Sequence, residues 1–310
     1  MKSYSGLLSL ALPTFGRAQF LDAFLSIHLP ILHKYNVQLI ISDNASNDNT
    51  LDVVQKYLNQ YSVIKYYCNK QTESPDRNFE IALGYADTEY VWLIGDTYQV
   101  DEETVKAVLD TISSEVYDLV VINQSGRVKG IEPKIYIDRN RLLSEIGWHM
   151  TCIGTLIYSK DLLTKANYGR YNDTNFLQIG ITFEYLADKP MNVRWMPEHS
   201  VIGLSVSGVK KTSWEDQAFE IWSKRWPNFV FSLPASYSLD SKMKCIMDHG
   251  ENGKGGVFSF KNLIRWRRKN ILTIDVYKRY HYYFPLTIQT PRFVIFLISV
   301  LPRVIFASAG

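Results

Sequence analysis

The first hundred residues of this chain alternate short apolar runs with helical patterns, and this alternation limits the fold more than any other feature. Residues 7–12 read as a strand and 19–33 as a helix. Residues 37–42 (VQLIIS) form a β-rich run stopped by Asp43-Asn44, and 50–59 an amphipathic helix capped by Asn49 or Thr50. Residues 63–67 make a third strand, Pro75 pre-sets the first turn of a helix reaching Tyr85, and 90–94 (YVWLI) make a fourth strand. A strand followed by a helix and another strand brings the chain back to the same end of the sheet, so successive strands run parallel. The expected fold is therefore α/β, a Rossmann-like and mostly parallel sheet with helices on both faces. Ligands of such sheets collect outside the carboxyl ends of the strands. Four segments are thus predicted to converge: residues 13–17, 43–46, 68–78 and 95–98. Further on, 101–112 and 174–187 read as helices, the second with Asp173 near its start, while 119–122, 155–158 and 193–196 read as strands. No internal repeat is visible.

Hydrophobic content of 46% with 21% charged residues excludes a disordered or low-complexity chain. The net charge of +3 conceals an asymmetry, because residues 241–310 carry twelve Lys/Arg against three Asp/Glu while the first 240 hold 22 against 28. That split argues against a uniformly basic nucleic-acid binder and gives the tail an anionic partner. After Ser207 the pattern turns to helices rich in Trp, Tyr and basic residues, with a flexible break at 250–256 (GENGKGG). Two domains are expected, residues 1–207 and a helical extension over 208–310. Cys68, Cys152 and Cys245 are too few and too scattered for a disulfide framework or a zinc site, which fits a reducing, cytoplasmic compartment. The apolar run after Met1-Lys2 is short and ends at Pro13, so it reads as a strand and not a signal peptide. No stretch approaches the roughly 18–20 apolar residues of a membrane span.

Each strand-end segment has chemistry to offer. In Pro13-Thr14-Phe15-Gly16-Arg17, backbone amides and a guanidinium can meet a pyrophosphate, or the segment can simply turn. Asp43, directly after a strand and followed by Asn44, can accept the imide N–H of a uracil-type base or cap the next turn. In Ser74-Pro75-Asp76-Arg77-Asn78, an Arg in a first helical turn opposes the macrodipole, so a bound anion or a close carboxylate is expected beside Arg77. In Gly95-Asp96-Thr97-Tyr98, the glycine permits a tight turn and Asp96 can offer a divalent metal hard oxygen.

Taken in this order, PTFGR, SDNAS, SPDRN and a strand ending in GD resemble inverting family 2 glycosyltransferases of the GT-A fold. The segments LALPTFGRAQFLDAFL, IISDNASNDNT, SPDRNFEIALGYADTEYVWLIGD and WSKRWPNF are similar to the abequosyltransferase-like branch of O-antigen and capsular polysaccharide synthesis. The resemblance implies that Pro13, Thr14 and Asp43 hold base and ribose, with Asn44 and Arg17 in the same donor site. It also implies that Arg77, flanked by Asp76 and Asn78, lies near ribose or diphosphate. Asp96, after Gly95, would lie near ribose or a Mg or Mn ion. The family's Asp-x-Asp is reduced here to Asp96-Thr97, which leaves Asp96 to act with an Arg or Lys beside the leaving diphosphate. Inverting transfer needs a base for the acceptor hydroxyl, and the candidates in order are Asp173, Glu184 and His149. The alternatives are an N-cap for Asp173, a solvated helix face for Glu184 and a structural imidazole for His149. Trp148, Trp195 and Trp214 are candidate sugar platforms against a default of core filling, and Trp222–Trp226 reads as packing.

In the tail, Arg265, Trp266, Arg267, Arg268 and Lys269 interleave basic and aromatic groups, as do the residues around 278–303. That mixture suits an interfacial helix on anionic lipid. The resemblance and the tail together predict a peripheral enzyme on the cytoplasmic face of the plasma membrane. It would move a sugar from a nucleotide donor, most often UDP, to a lipid-linked oligosaccharide. The alternative is a catalytically silent GT-A module that binds nucleotide sugar or scaffolds an assembly complex.

Overall fold

The computed structural model describes Tyr4 and residues 6–209, 214–247 and 256–306. Residues 250–255 of the glycine-rich break lie outside the described residues. Two compact units emerge, one of residues 1–139 and 149–211, the other of 140–148 and 212–310. Because residues 140–148 group with the second unit, the units are not consecutive blocks of chain.

The first unit contains, in order, β1 (Leu8–Thr14), α1 (Ala18–Tyr35), β2 (Gln38–Asp43), α2 (Thr50–Leu58), β3 (Ile64–Cys68), α3 (Pro75–Gly84) and β4 (Tyr90–Leu93). There follow β5 (Tyr98–Gln99), α4 (Glu102–Ser114), β6 (Leu119–Gln124) and β7 (Lys134–Tyr136); α5 (Arg139–Ile146) leads into the second unit. The first unit resumes with β8 (Leu156–Ser159), α6 (Lys160–Lys165), α7 (Tyr168–Tyr171), α8 (Leu177–Tyr185) and β9 (Val193–Gly203). The sheet runs β3-β2-β1-β4-β8-β6-β9-β5, with β7 also paired to β9. Strands β1 to β4 are mutually parallel, as expected. The second half departs from the mostly parallel expectation, because β8 lies antiparallel between β4 and β6, and β5 and β7 lie antiparallel on β9. The result is a mixed sheet.

Strand alternation decides what each face meets. Leu8, Leu10 and Leu12 of β1, Leu39 and Ile41 of β2, and Trp92 of β4 share one buried cluster with Phe20, Phe24 and Leu25 of α1 and Val105 and Val108 of α4. Helix α3 packs on β1, β2 and β4 from the other side. Capping fixes the helix ends. Ser74 Oγ accepts the Arg77 N–H ahead of Pro75, and Asp101 Oδ1 accepts the Thr104 N–H at the start of α4. For α2 the cap is neither expected residue's side chain. Asp48 instead accepts from the N–H and hydroxyl of Thr50, and its other oxygen accepts from Ala18 N–H at the start of α1.

The second unit holds α9 (Trp226–Ser232), α10 (Leu239–Met247), α11 (Phe260–Arg268), α12 (Ile274–Tyr280), α13 (Phe284–Thr287) and α14 (Arg292–Val300), and is helical as expected. Its core gathers Phe219, Phe258, Leu263, Trp266, Tyr280, Phe284, Ile295 and Ile298. This overturns the interfacial role of Trp266, whose ring is fully buried. The basic groups around it are also partnered. Arg265 and Lys269 both pair with Glu215, and Arg267 donates to the carbonyls of Leu301 and Leu272. The outward apolar surface lies elsewhere, on Phe293, Phe296, Leu297 and Val300 of α14 and on Val304 and Ile305 beyond it. Among the described residues no helix is long and apolar enough to cross a membrane. Cys68, Cys152 and Cys245 are all free thiols.

Candidate functional site

The four predicted segments meet where β1, β2, β3 and β4 end. Thr14 closes β1, and its carbonyl accepts the N–H of Asn44, the first residue after β2, at 2.9 Å. Gly16, at a φ of +59°, donates its N–H to Ser46 Oγ at 2.8 Å. Across the other edge of β1, the Thr14 hydroxyl donates to Asp96 Oδ2 at 2.8 Å, while Arg17 Nη1 donates to Asp96 Oδ1 at 3.1 Å. Asp96 follows β4, the parallel neighbour of β1, and its carboxylate is almost fully buried. At Gly95 beside it, a Cβ would lie 2.9 Å from Ile153 Cδ1 and would have to push that methyl aside. One hydrogen-bonded unit thus joins Thr14, Arg17 and Asp96 on either side of the strand pair where the order β3-β2-β1-β4 turns back.

Asp43 closes β2 and braces the turn after it. Its Oδ1 accepts the Ser46 N–H at 2.9 Å and the Ser46 hydroxyl at 2.5 Å, and its Oδ2 accepts the Tyr66 hydroxyl at 2.7 Å. A carboxylate has about four lone-pair directions, so three donors leave its accepting capacity unfilled by one. Ala45, held at a φ of +58°, makes the turn tight. Asn44 ties in the third segment, with its Nδ2 donating to Glu73 O while its Oδ1 accepts Glu73 N–H and Asn69 Nδ2–H. Asn78 is buried and braces Ser42 and Asn69, and Pro13 is buried in β1. Tyr66 and Asp48 join the site without having been among the expected residues, whereas Ser46 lies in the predicted 43–46 segment. The period-two alternation of β3 and the dense polar run after β2 are the signals that could have found them.

Arg77 does not join this cluster. Its Nη1 sits 2.5 Å from Glu80, and both line a groove with Lys160 and Tyr168 beside α3 and α6. Glu80 is the close carboxylate expected beside Arg77. Asp76 faces inward and accepts the Asn175 N–H at 2.8 Å. Burial pushes its carboxyl up to about 6, against the backbone N–H groups of Asn175 and Leu177, and the neighbouring Asp173 raises it further.

The three candidate bases fare differently. Asp173 is exposed on the left-handed turn of residues 173–175 that Asp76 pins, next to the N-terminus of α3 and so to the strand ends. It is not an N-cap, because α8 begins only at Leu177. Glu184, inside α8, accepts Arg170 Nη1 with both oxygens at 2.8 Å and the Tyr171 hydroxyl at 2.7 Å. His149 is fully buried and donates from Nε2 to the Ile122 carbonyl, and burial drives its pKa down to about 3. Burial removes His149 from contact with any acceptor and leaves it a core residue. Trp148 and Trp195 are likewise buried, whereas Trp214 is exposed and meets Trp222 edge-on.

A divalent cation would need hard oxygen ligands here. Both Asp96 oxygens are already engaged by Thr14 and Arg17, the next residue is Thr97, and among the described residues no cluster of three His, Cys, Asp or Glu is gathered. The residues present do not fit a resident metal.

The architecture is that of the GT-A fold, and residues 9–166 match the model of Glycosyl transferase family 2. The chain belongs to that family. Abequosyltransferase RfbV of Salmonella typhimurium is 27% identical to it over 198 residues, which is 58% of this chain and 59% of RfbV. The poly(ribitol-phosphate) β-N-acetylglucosaminyltransferase TarS of Staphylococcus aureus is 24% identical over 119 residues, 38% of this chain and 21% of TarS. The chain therefore spans less than two thirds of either relative. The crystal structure of TarS residues 1–349 with UDP-GlcNAc superposes with a TM-score of 0.57 at 15% identity, over 94% of this chain and 87% of that one. A mannosyltransferase of Pyrobaculum calidifontis, solved with GDP-Man and Mn2+, gives 0.58 at 11% identity, over 99% and 87%.

Proposed function

We propose that the chain transfers one sugar, by inverting single displacement, from a nucleotide donor, UDP-linked by preference, to a lipid-linked oligosaccharide of O-antigen or capsule synthesis. The observation that carries this reading is the joined cluster of Thr14, Arg17, Asp43, Asn44 and Asp96 at one end of the sheet, supported by the likeness to RfbV and TarS. Asp43 and Asn44 border the base and ribose, and Arg17 lies at the diphosphate. Asp173 takes the proton of the acceptor hydroxyl as its oxygen bonds to the anomeric carbon. The bond from that carbon to the diphosphate breaks, and its electron pair leaves with the diphosphate. Asp173→Asn is expected to lower kcat by about 10²–10⁴ with little change in donor KM.

The test is a panel of UDP-, GDP-, CDP- and TDP-sugars with a lipid-diphosphate-linked acceptor, read as glycolipid product and released nucleoside diphosphate. Absence of both transfer and donor hydrolysis across the panel would refute the catalytic reading. Nucleotide-sugar binding without turnover would instead favour the silent module.

The exposed stripe of α14, with Arg292 and Arg303 at its ends, supports a peripheral position on an anionic membrane at the cytoplasmic face. Phe293→Ser/Leu297→Ser is expected to release the protein from phosphatidylglycerol vesicles in a flotation assay. Undiminished flotation would end that part of the reading.

A further inference from the structure

We infer that Arg17 is the chain's own counter-cation for the donor diphosphate, so that nucleotide sugar binds without a divalent metal. This deepens, and rests on, the nucleotide-sugar reading above.

The acidic side of the site already holds a cation. Asp96 is buried, and its two oxygens meet the Thr14 hydroxyl at 2.8 Å and Arg17 Nη1 at 3.1 Å. A dication on a second lone pair of Asp96 would stand beside the Arg17 guanidinium, two like charges in a site of low polarity. The position after Asp96 offers the neutral oxygen of Thr97 instead of a second carboxylate. Arg17 and a metal thus compete for one carboxylate, and the arginine is already on it.

The cationic side is equally particular. A guanidinium has five N–H donors in a rigid fork that matches the oxygens of a diphosphate, and among the described residues Asp96 takes one of them. About a third of the Arg17 side chain, 36%, is open to solvent while its Asp96 partner is 2% exposed. The pair therefore shows its positive member outward. Its backbone is held on both sides, by Gly16 N–H on Ser46 Oγ and by the Arg17 carbonyl accepting Leu21 N–H at 2.9 Å as α1 begins. Asp96 holds the guanidinium in place before any ligand arrives, so little reorganisation is needed when charge develops on the leaving diphosphate.

The test is titration calorimetry of the whole chain with UDP, GDP, CDP and TDP, in EDTA and in MnCl2, alongside water-proton relaxation to detect protein-bound Mn2+. The expected result is one nucleotide binding with affinities within about twofold in the two buffers, and no nucleotide-dependent rise in bound Mn2+ beyond that of nucleotide alone. Arg17→Gln should weaken that nucleotide by about 30-fold, the scale of a lost charge-assisted hydrogen bond. Because Arg17→Gln leaves Asp96 buried without its cation, Arg17→Gln/Asp96→Asn is measured too. It should keep the parental fold by circular dichroism and show the same loss of affinity. Binding that appears only with Mn2+, or a folded double variant with parental affinity, overturns the inference and leaves the donor reading standing. No binding of any nucleotide in either buffer removes the donor reading, and the inference with it.

Discussion

Replacing Asp76 by Asn should make the protein more stable at neutral pH, although it removes a charge that accepts backbone hydrogen bonds. Asp76 is 2% exposed, and burial lifts its carboxyl to about 6 from an ordinary 3.8. The native state therefore holds this proton more tightly than the unfolded chain. Stability from this group is complete below 3.8, is lost as pH rises to about 6, and stays lost above it. At 1.36 kcal/mol per pH unit, the window corresponds to about 3 kcal/mol. Asparagine has the same shape, does not titrate, and presents a carbonyl oxygen for the Asn175 N–H now bonded at 2.8 Å. The assay is urea unfolding of parent and Asp76→Asn at several values from about pH 4 to pH 7, read as the difference in ΔG. His28 and His149, buried with pKa values near 4 and 3, cost stability in the opposite direction as pH falls below 6.5. Both are common to the two proteins and cancel in the difference. That difference should grow in favour of the variant by about 2.4 kcal/mol from pH 4 to pH 7, most of the full window. A flat difference, or one that turns against the variant as pH rises, would refute the reasoning.

Asp76→Ala, which offers the Asn175 N–H nothing, should loosen residues 173–175 and lower transferase kcat more than Asp76→Asn does. Gly180→Ala places a Cβ 2.3 Å from Tyr171 Cδ1 inside α8, and an overpacking cost of about 1–3 kcal/mol should appear in the urea midpoint. A midpoint within error of the parent would show that Tyr171 can step aside. Trp266→Ala should cost about 3–5 kcal/mol through the cavity left among Phe219, Phe258 and Leu263. Vesicle flotation should be spared in whatever fraction stays folded. Native protein should expose one thiol to a maleimide, Cys68, with Cys152 and Cys245 reacting only in denaturant.

The strands and helices between residues 7 and 94 were legible to within a few residues because each carries an undisturbed apolar period bounded by Gly, Pro, Asn or Asp. Strands β5 and β7, of two and three residues, are too short to show a period at all. β9 reads only as far as Met196 because Pro197, Glu198 and His199 interrupt it, at the place where its register against β6 shifts. The antiparallel insertion of β8 between β4 and β6 is a tertiary choice that no local pattern encodes. The meeting of Thr14, Asp43, Asn44 and Asp96 follows from strand ends alone. The partner of Arg17 does not, since it depends on which strand lies beside β1. His149 and Trp266 sit in polar-looking strings, Trp-His-Met-Thr and Arg-Trp-Arg-Arg, where composition suggests surface and packing has made core.

Helix α14 has a practical consequence for anyone handling this protein. Its Ile295 and Ile298 plug the core of the second unit while Phe293, Leu297 and Val300 of the same helix face outward. Cutting the chain before Arg292 to gain solubility would remove sticky surface and core plug in one stroke, trading one exposed apolar patch for another. Solubility is better sought by recolouring the outer stripe with polar side chains, residue by residue, while leaving the two isoleucines alone.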